Sequence, residues 1–326
     1  MIICYYQYAL VHSGYTGHYA THNRMFFRRS GKKKAIIYLP GSVGDNFIML
    51  ALAQQLKDAD FGDIAIMSNV AAPIYKKITK SLGISDDVFS AKSISSLIKA
   101  YISSFVRDTY FVFILTPDAP LISYMSFVFY FFSPTKIVYC LYTDIHKKPK
   151  VFGRCILCTE QDSAQVLFKK IFDRLSLNAE SKPMHLSLPK LIESNYCIFH
   201  TYPSHMDDRV VEKEVIKKGL SEYYASHPDI SKLIICTGTM GDRLINENFD
   251  DYIPKGCTYL DLRGMDNLFG FMHMIHDCDR YFGVHTGPTQ IAAMFQKKGL
   301  IFFKRYRPFF GVEYNKNFDI LLLDKK

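Results

Sequence analysis

The chain has 326 residues, 48% of them hydrophobic and 22% charged, which excludes disordered and fibrous classes and is long enough for two domains, each with its own core. A formal net charge of +9 favours an anionic partner: a phosphorylated substrate, an acidic membrane surface or nucleic acid. Eight scattered cysteines, several inside apolar runs where a thiol packs as a small hydrophobe, point to a reducing compartment, the cytoplasm.

Residues 1–34 read as a basic and aromatic N-terminal extension without periodicity, ending in Arg28-Arg29-Ser30-Gly31-Lys32-Lys33-Lys34. That run is either a solvated tail or a contact for anionic lipid headgroups, worth about 1 kcal/mol per charge near a membrane. Met1 to Gly14 lacks the basic lead and apolar middle of a signal peptide, and Met25 is an alternative start. The alternation of elements then begins. Ala35 to Pro40 is an apolar strand, Gly41-Ser42-Val43-Gly44-Asp45-Asn46 a turn, and Phe47 to Leu56 a helix with Phe47, Ala51, Leu52 and Leu56 on one face. Asp63 to Ser68 is a strand and Pro73 to Leu82 a helix. Ser93 to Val106, Tyr110 to Leu115, Ala119 to Phe132 and Lys136 to Leu141 continue as helix, strand, helix, strand. Tyr110 to Phe132 is apolar enough to suggest a membrane span, but Pro117, Asp118 and Pro120 at its centre would leave backbone and charge unsatisfied in hydrocarbon.

From Tyr142 to Lys190 the pattern loosens around one helical stretch, Ser163 to Leu175. Cys155 and Cys158 form a close pair without a second pair or a spaced His-x-x-x-His, and are expected as two reduced thiols in a linker rather than as a metal site. The expected organisation is therefore an N-terminal domain over 35–160, an interdomain segment over 161–190 and a C-terminal domain over 191–326. In the last of these, Tyr196 to His200, Leu233 to Cys236 and Thr258 to Leu260 read as strands, and Val210 to Tyr224 and Asn267 to His276 as helices. Strands apolar throughout, each followed by a helix, require a parallel sheet covered on both faces. Two such α/β domains in tandem put a ligand cleft at the carboxyl ends of the strands.

Two turns carry the chemistry. In Tyr281 to Phe302 an apolar strand breaks at His285-Thr286-Gly287-Pro288 and a helix is expected from Pro288, where the missing N–H costs nothing. Gly287 admits close approach to the backbone, Thr286 offers a hydroxyl, and the helix end adds roughly half a positive charge, so the turn suits a phosphate. A tight turn in any α/β protein has the same outline. The second turn, Gly41 to Asp45, lacks the third glycine of GxGxxG and the Lys-Ser/Thr of a Walker A loop, yet puts a carboxylate at a helix mouth. Asp45 is either a helix N-cap or a base facing the cleft.

The segment His285-Thr-Gly-Pro-Thr-Gln290-Ile-Ala-Ala resembles the Asp-Thr-Gly-Pro-x-His-x-Ala-Ala segment of glycosyltransferase family 9, the lipopolysaccharide heptosyltransferase type. Gly41-Ser-Val-Gly-Asp45 resembles its first motif, and the likeness runs from Ala35 to about Arg307 through Tyr110 to Leu115, Cys197 to His200, Leu233 to Gly238 and Leu262 to Leu268. The resemblance implies a GT-B fold, two Rossmann-like domains with parallel sheets facing across a central cleft, and an inverting transfer of heptose from ADP-heptose to a lipopolysaccharide core acceptor. It implies Asp45 as general base in an acceptor loop with Ser42 and Gly44, and Thr286, Gly287, Pro288 and Thr289 around the donor diphosphate. His285, Gln290, Thr237, Gly238, Arg209 and Lys304 are expected around the donor sugar or nucleotide, with Lys213 an alternative to Arg209. No Asp-x-Asp sits at a strand end as in metal-dependent transferases, so neither a metal nor a resident cofactor is expected.

His285 and Gln290 depart from the family's Asp and His, which leaves open another nucleotide sugar for capsule or another glycan. The partners expected are the nucleotide sugar, a lipid-linked anionic glycan acceptor and, peripherally, the cytoplasmic face of the inner membrane, which the aromatic helix Ser123 to Phe132 would approach. A noncatalytic nucleotide or nucleic-acid binder of the same fold is the contrasting possibility. Nucleic acid would call for basic residues interleaved with exposed aromatics, whereas the basic residues here cluster in the tail and linker.

Overall fold

The computed structural model describes residues 33–39, 41–59, 61–68, 72–91, 95, 98, 109–114, 137–142, 154–158, 162–175, 177, 184–190, 195–200, 210–238, 248–264, 267–304, 312 and 314–323. Among these, two six-stranded sheets form, with every pairing parallel. The first contains β1 (Lys34–Leu39), β2 (Asp63–Ser68), β3 (Asp87–Ser90), β4 (Thr109–Ile114), β5 (Ile137–Tyr142) and β6 (Arg154–Cys158), with helices α1 (Val43–Asp58) and α2 (Ala72–Ser81) interleaved. Helix α3 (Ala164–Arg174) follows. The second contains β7 (Cys197–His200), β8 (Leu233–Thr237), β9 (Thr258–Asp261), β10 (Arg280–Val284), β11 (Lys298–Phe303) and β12 (Phe318–Leu322), with α4 (Lys213–Ser226), α5 (Leu268–Asp277) and α6 (Gly287–Met294) between them.

The first sheet runs β3-β2-β1-β4-β5-β6, and the second, read from its other edge, β9-β8-β7-β10-β11-β12. Both therefore carry the order 3-2-1-4-5-6, in which the chain reverses direction across the sheet between its first and fourth strands. Such a reversal opens a crevice beyond the strand ends, and the turns after β1 and β10 both lie at one.

Several boundaries differ from the sequence reading. Helix α1 starts at Val43 rather than Phe47, because Ser42 caps it with its side chain. It is also buried all round rather than along one face: Asn46 to Ala53 are fully enclosed, since α1 lies between β1 and β2 on one side and α6 on the other. Cys155 and Cys158 belong to strand β6, not to a linker. Lys34 is not in the tail; it opens β1 and pairs with Asp87 at 3.0 Å. Strands β3 and β12 were not anticipated. The expected helix at Ala119 to Phe132, the extension before Lys33, and Ser93 to Val106 apart from Ser95 and Ile98 lie outside the described residues.

One continuous apolar cluster joins the two sheets. It runs from Ile37 and Ile66 through Phe47, Leu50 and Ala53 of α1 to Ile291 and Met294 of α6 and Met272 of α5. Each large side chain so buried contributes about 1.5–3 kcal/mol. A second cluster, with Phe199, Leu220, Phe282 and Phe302, packs α4 on the opposite face of the second sheet. Between α3 and β7, the chain is tied to α6 by Leu186 N–H to the Met294 carbonyl at 2.9 Å and by the Gln296 amide to the Met184 carbonyl at 3.1 Å.

Helices α2 and α5 also meet across the join, where Ser81 Oγ lies 3.5 Å from His273 Nε2. Burial holds the His273 pKa below its usual value, and among the described residues its Nδ1 has no hydrogen-bond partner. The folded form thus resists a proton that the unfolded chain accepts near pH 6.5, so this part of the stability is complete above that pH and is lost as pH falls below it. Thermal unfolding followed from pH 8 to 5 is expected to show a steeper acid loss in the native chain than in His273→Leu. Parallel curves for the two would contradict the assignment.

Candidate functional site

The β1–α1 turn is shaped by hydrogen bonds. Ser42 stands in extended backbone as the N-cap of α1, and its hydroxyl accepts the Asp45 N–H at 3.3 Å while donating to Asp45 Oδ2 at 2.7 Å. Asp45 is accordingly not the N-cap. It is the third residue of the helix, half-buried, with its negative charge in the first turn where the helix dipole favours it.

The β10–α6 turn is held from beneath. Thr286 is the N-cap of α6, Gly287 its first residue and Pro288 its second, one residue earlier than the sequence suggests. Thr286 makes no side-chain cap bond; its hydroxyl donates to the Val284 carbonyl and lies 3.3 Å from the Thr289 hydroxyl. Thr289 also donates to the Val284 carbonyl and meets the Tyr281 hydroxyl at 3.3 Å. Complete burial raises the pKa of the Tyr281 phenol, which keeps this hydroxyl chain neutral. Both threonines are buried, so they brace the turn from below. The backbone N–H groups of Gly287 and Thr289, which have no intrahelical acceptor, remain at the helix end.

The two turns touch. A Cβ placed on Gly44 would lie 3.2 Å from the Gly287 Cα and 3.4 Å from Gln290 Cγ; one placed on Gly287 would lie 3.0 Å from the Gly44 nitrogen and 3.3 Å from Val43 Cβ. Glycine at both positions leaves room for this approach, and a Cβ at either would make its neighbour give by a few tenths of an ångström. Asp45 follows Gly44 directly and Thr286 precedes Gly287, so the carboxylate-bearing turn and the start of α6 are adjacent without an intervening gap.

The other anticipated residues divide into groups. His285 is buried with its ring 4.8 Å from that of Phe303, and Gln290 is buried with Oε1 accepting the Tyr314 hydroxyl at 2.8 Å. Thr237, buried at the end of β8, lies 3.1 Å from His200 Nδ1, and Gly238 packs near the Arg263 side chain. Lys304 is exposed just beyond β11. Lys213 pairs with Asp251 at 2.9 Å and lies over the Tyr252 ring. Arg209 lies outside the described residues.

Three residues at or near these strand ends and turns were not singled out from the sequence. His200 ends β7, beside β10, and its signal was a polar residue closing an apolar strand. Arg263 is clasped by Asp261, with Nε 3.0 Å from both carboxylate oxygens, and lies over the Phe249 ring. That clasp, opposed only in part by burial, holds the Asp261 carboxyl below its usual pKa. Asn46, inside α1, gave no signal. Among the described residues, no three His, Cys, Asp or Glu side chains form a metal-ligand group, and no helix is long and apolar enough to cross a membrane.

No protein-family model matches the chain, and no curated protein matches it. Solved structures do. A glycosyltransferase family 9 structure from Veillonella parvula aligns with a TM-score of 0.61 at 12% identity, covering 90% of this chain and 88% of its own. ADP-heptose lipopolysaccharide heptosyltransferase II of E. coli aligns at 0.61 with 11% identity, covering 88% and 90%. E. coli heptosyltransferase WaaC with ADP aligns at 0.58 with 16% identity, covering 89% and 93%. Coverage of this extent takes in both sheets. The chain has the GT-B fold.

In this GT-B chain the first Rossmann-like half bears Asp45 and the second bears the start of α6, and their contact depends on two missing side chains. Gly287→Ala crowds the Gly44 nitrogen and Val43 Cβ, an overpacking that costs about 1–3 kcal/mol. Its melting temperature is expected to fall by several degrees, while Lys304→Ala, altered at an exposed position, stays within about a degree of the native chain. Equal melting of Gly287→Ala and the native chain would show that the turns are not in contact.

Proposed function

We propose that the protein is an inverting glycosyltransferase that moves a sugar from a nucleotide-diphosphate donor to an acceptor hydroxyl. The observation that carries this reading is the contact of Gly44 with Gly287, since it sets a carboxylate beside a helix end suited to a diphosphate. Asp45 takes the acceptor's proton as its oxygen attacks the anomeric carbon from the face opposite the leaving group. The bond from that carbon to the diphosphate oxygen breaks, and the departing charge meets the N–H groups of Gly287 and Thr289 and the positive end of α6. Thr286 and Thr289 act from below, keeping those amides in place. Ser42 orients the base by donating to Asp45 Oδ2.

The donor in this reading is ADP-heptose and the acceptor a lipid-linked lipopolysaccharide core, at the cytoplasmic face of the inner membrane. The family 9 resemblance, the two E. coli heptosyltransferases of like fold and the net charge of +9 support it. Thr237, Gly238 and Lys304 stand at the strand ends on the nucleotide side. No resident cofactor is assigned. The division at 35–160, 161–190 and 191–326 remains our proposal for the domains, supported by sheets that span 34–158 and 197–322.

One observation favours a different donor sugar within the same class. His285 and Gln290, which replace the family's Asp and His, are both buried, and Gln290 is engaged by Tyr314. Contacts that the family makes to the sugar through those positions are therefore altered.

Asp45→Asn keeps the shape of the side chain and removes the base. Its transfer rate from ADP-heptose is expected to fall at least about a hundredfold. The thermal stabilisation by ADP, which reports the helix end alone, is expected to persist. A variant as active as the native chain would end the assignment of Asp45 as base.

A further inference from the structure

Asn46 is a polar residue inside the buried stretch of α1 that the proposed chemistry does not use. Its Oδ1 accepts the Gly41 N–H at 3.1 Å, and its Nδ2 donates to the Tyr75 hydroxyl at 2.5 Å. Tyr75 lies on α2 and is itself buried, which raises its pKa above 10.0 and keeps it a neutral hydroxyl. Exchanging the two ends of the carboxamide would set its NH2 against the Gly41 N–H, so the pair of bonds fixes its orientation.

Gly41 has φ +134°, a conformation that favours glycine, and nothing lies within 4 Å of the position a Cβ would take. No neighbour closes on that side of the residue, and its N–H bond to Asn46 ties it to α1. The next residue, Ser42, caps α1 and donates to Asp45 Oδ2. The seven residues after Asn46 in α1 are all apolar, and a buried carboxamide costs about 1–3 kcal/mol wherever its bonds are not made. Leucine would fill the space, but could not hold Gly41.

We infer that Asn46, anchored by Tyr75, is a positioning residue for Asp45: by gripping the Gly41 N–H it holds the β1–α1 turn in the conformation from which Ser42 reaches the Asp45 carboxylate. The inference rests on the reading of Asp45 as base. It also links that base to α2, the helix that meets α5 of the second half through Ser81 and His273.

The test uses the full chain with Asn46→Ala, Asn46→Asp and Tyr75→Phe. With ADP-heptose as donor, Asn46→Ala is expected to lower kcat about tenfold to a hundredfold with donor KM within about twofold, and Tyr75→Phe to lower kcat less. Asn46→Asp accepts from both Gly41 and Tyr75 and so keeps the turn. It is expected to restore most of kcat while moving the acid limb of the pH–rate profile upward, because a second carboxylate then neighbours Asp45. A merely structural role would leave kcat of the folded Asn46→Ala chain at the native value.

Two readings need no substrate: hydrogen exchange at the Gly41 amide and the carboxyl 13C shift of Asp45. Protection of Gly41 in the native chain, its loss in Asn46→Ala and a changed Asp45 shift are expected. If the native chain transfers nothing from ADP-heptose, that donor assignment fails, and these two measurements decide the positioning role by themselves. If Asn46→Ala does not fold, Tyr75→Phe takes its place. Unchanged exchange and an unchanged Asp45 shift in a folded variant would overturn the inference.

Discussion

The structure depends on a contact between two residues without side chains. Gly44 and Gly287 bring two helix starts together, and each helix start carries roughly half a positive charge. Two like poles at this separation repel. Asp45, in the first turn of α1, places a full negative charge beside them and offsets the repulsion. The carboxylate proposed as base is thus also part of what makes the crossing tolerable.

Around this point the polar groups are handled by two different devices. Beneath α6 the hydroxyls of Tyr281, Thr286 and Thr289 satisfy one another and the Val284 carbonyl, which leaves the helix-end amides outside the network. Beneath α1 a single carboxamide does the comparable work, tying Gly41 to Tyr75. Both arrangements follow from the requirement that buried polar groups find partners. They differ in reach, because the hydroxyl set is local to one strand and helix whereas Asn46 joins elements 29 residues apart.

Much of the fold was legible because parallel strands buried on both faces are apolar throughout, as in Ala35 to Leu39 and Leu233 to Cys236. Strands at sheet edges lack that signature. Strand β3 is half-exposed, and β12 interrupts its apolar run with Asp319, so neither stood out. The true start of α1 was hidden because Gly41 and Gly44 look like turn residues, although Ser42 and Asp45 stand at capping distance. The residue types of the candidate site were readable at Asp45 and at Thr286-Gly287, and the family resemblance implied that the two turns face one another across a cleft. Their direct contact was not readable, since no periodicity shows how closely turns of two separate sheets approach. The Gln290–Tyr314 bond and the Asn46–Tyr75 bond were hidden for the same reason: each joins residues far apart in the chain.

The enclosure of α1 on every side has a consequence for biosynthesis. As the nascent polypeptide leaves the ribosome, the first sheet can assemble once residue 158 is out, but the surface of α1 that α6 will cover stays wet until residue 294 has been made. For that interval the half-made protein displays an apolar helix face, the kind of surface that chaperones bind and that drives aggregation. Its two halves are therefore partners in solubility as well as in fold, and severing the gene between them would yield a first fragment prone to precipitate.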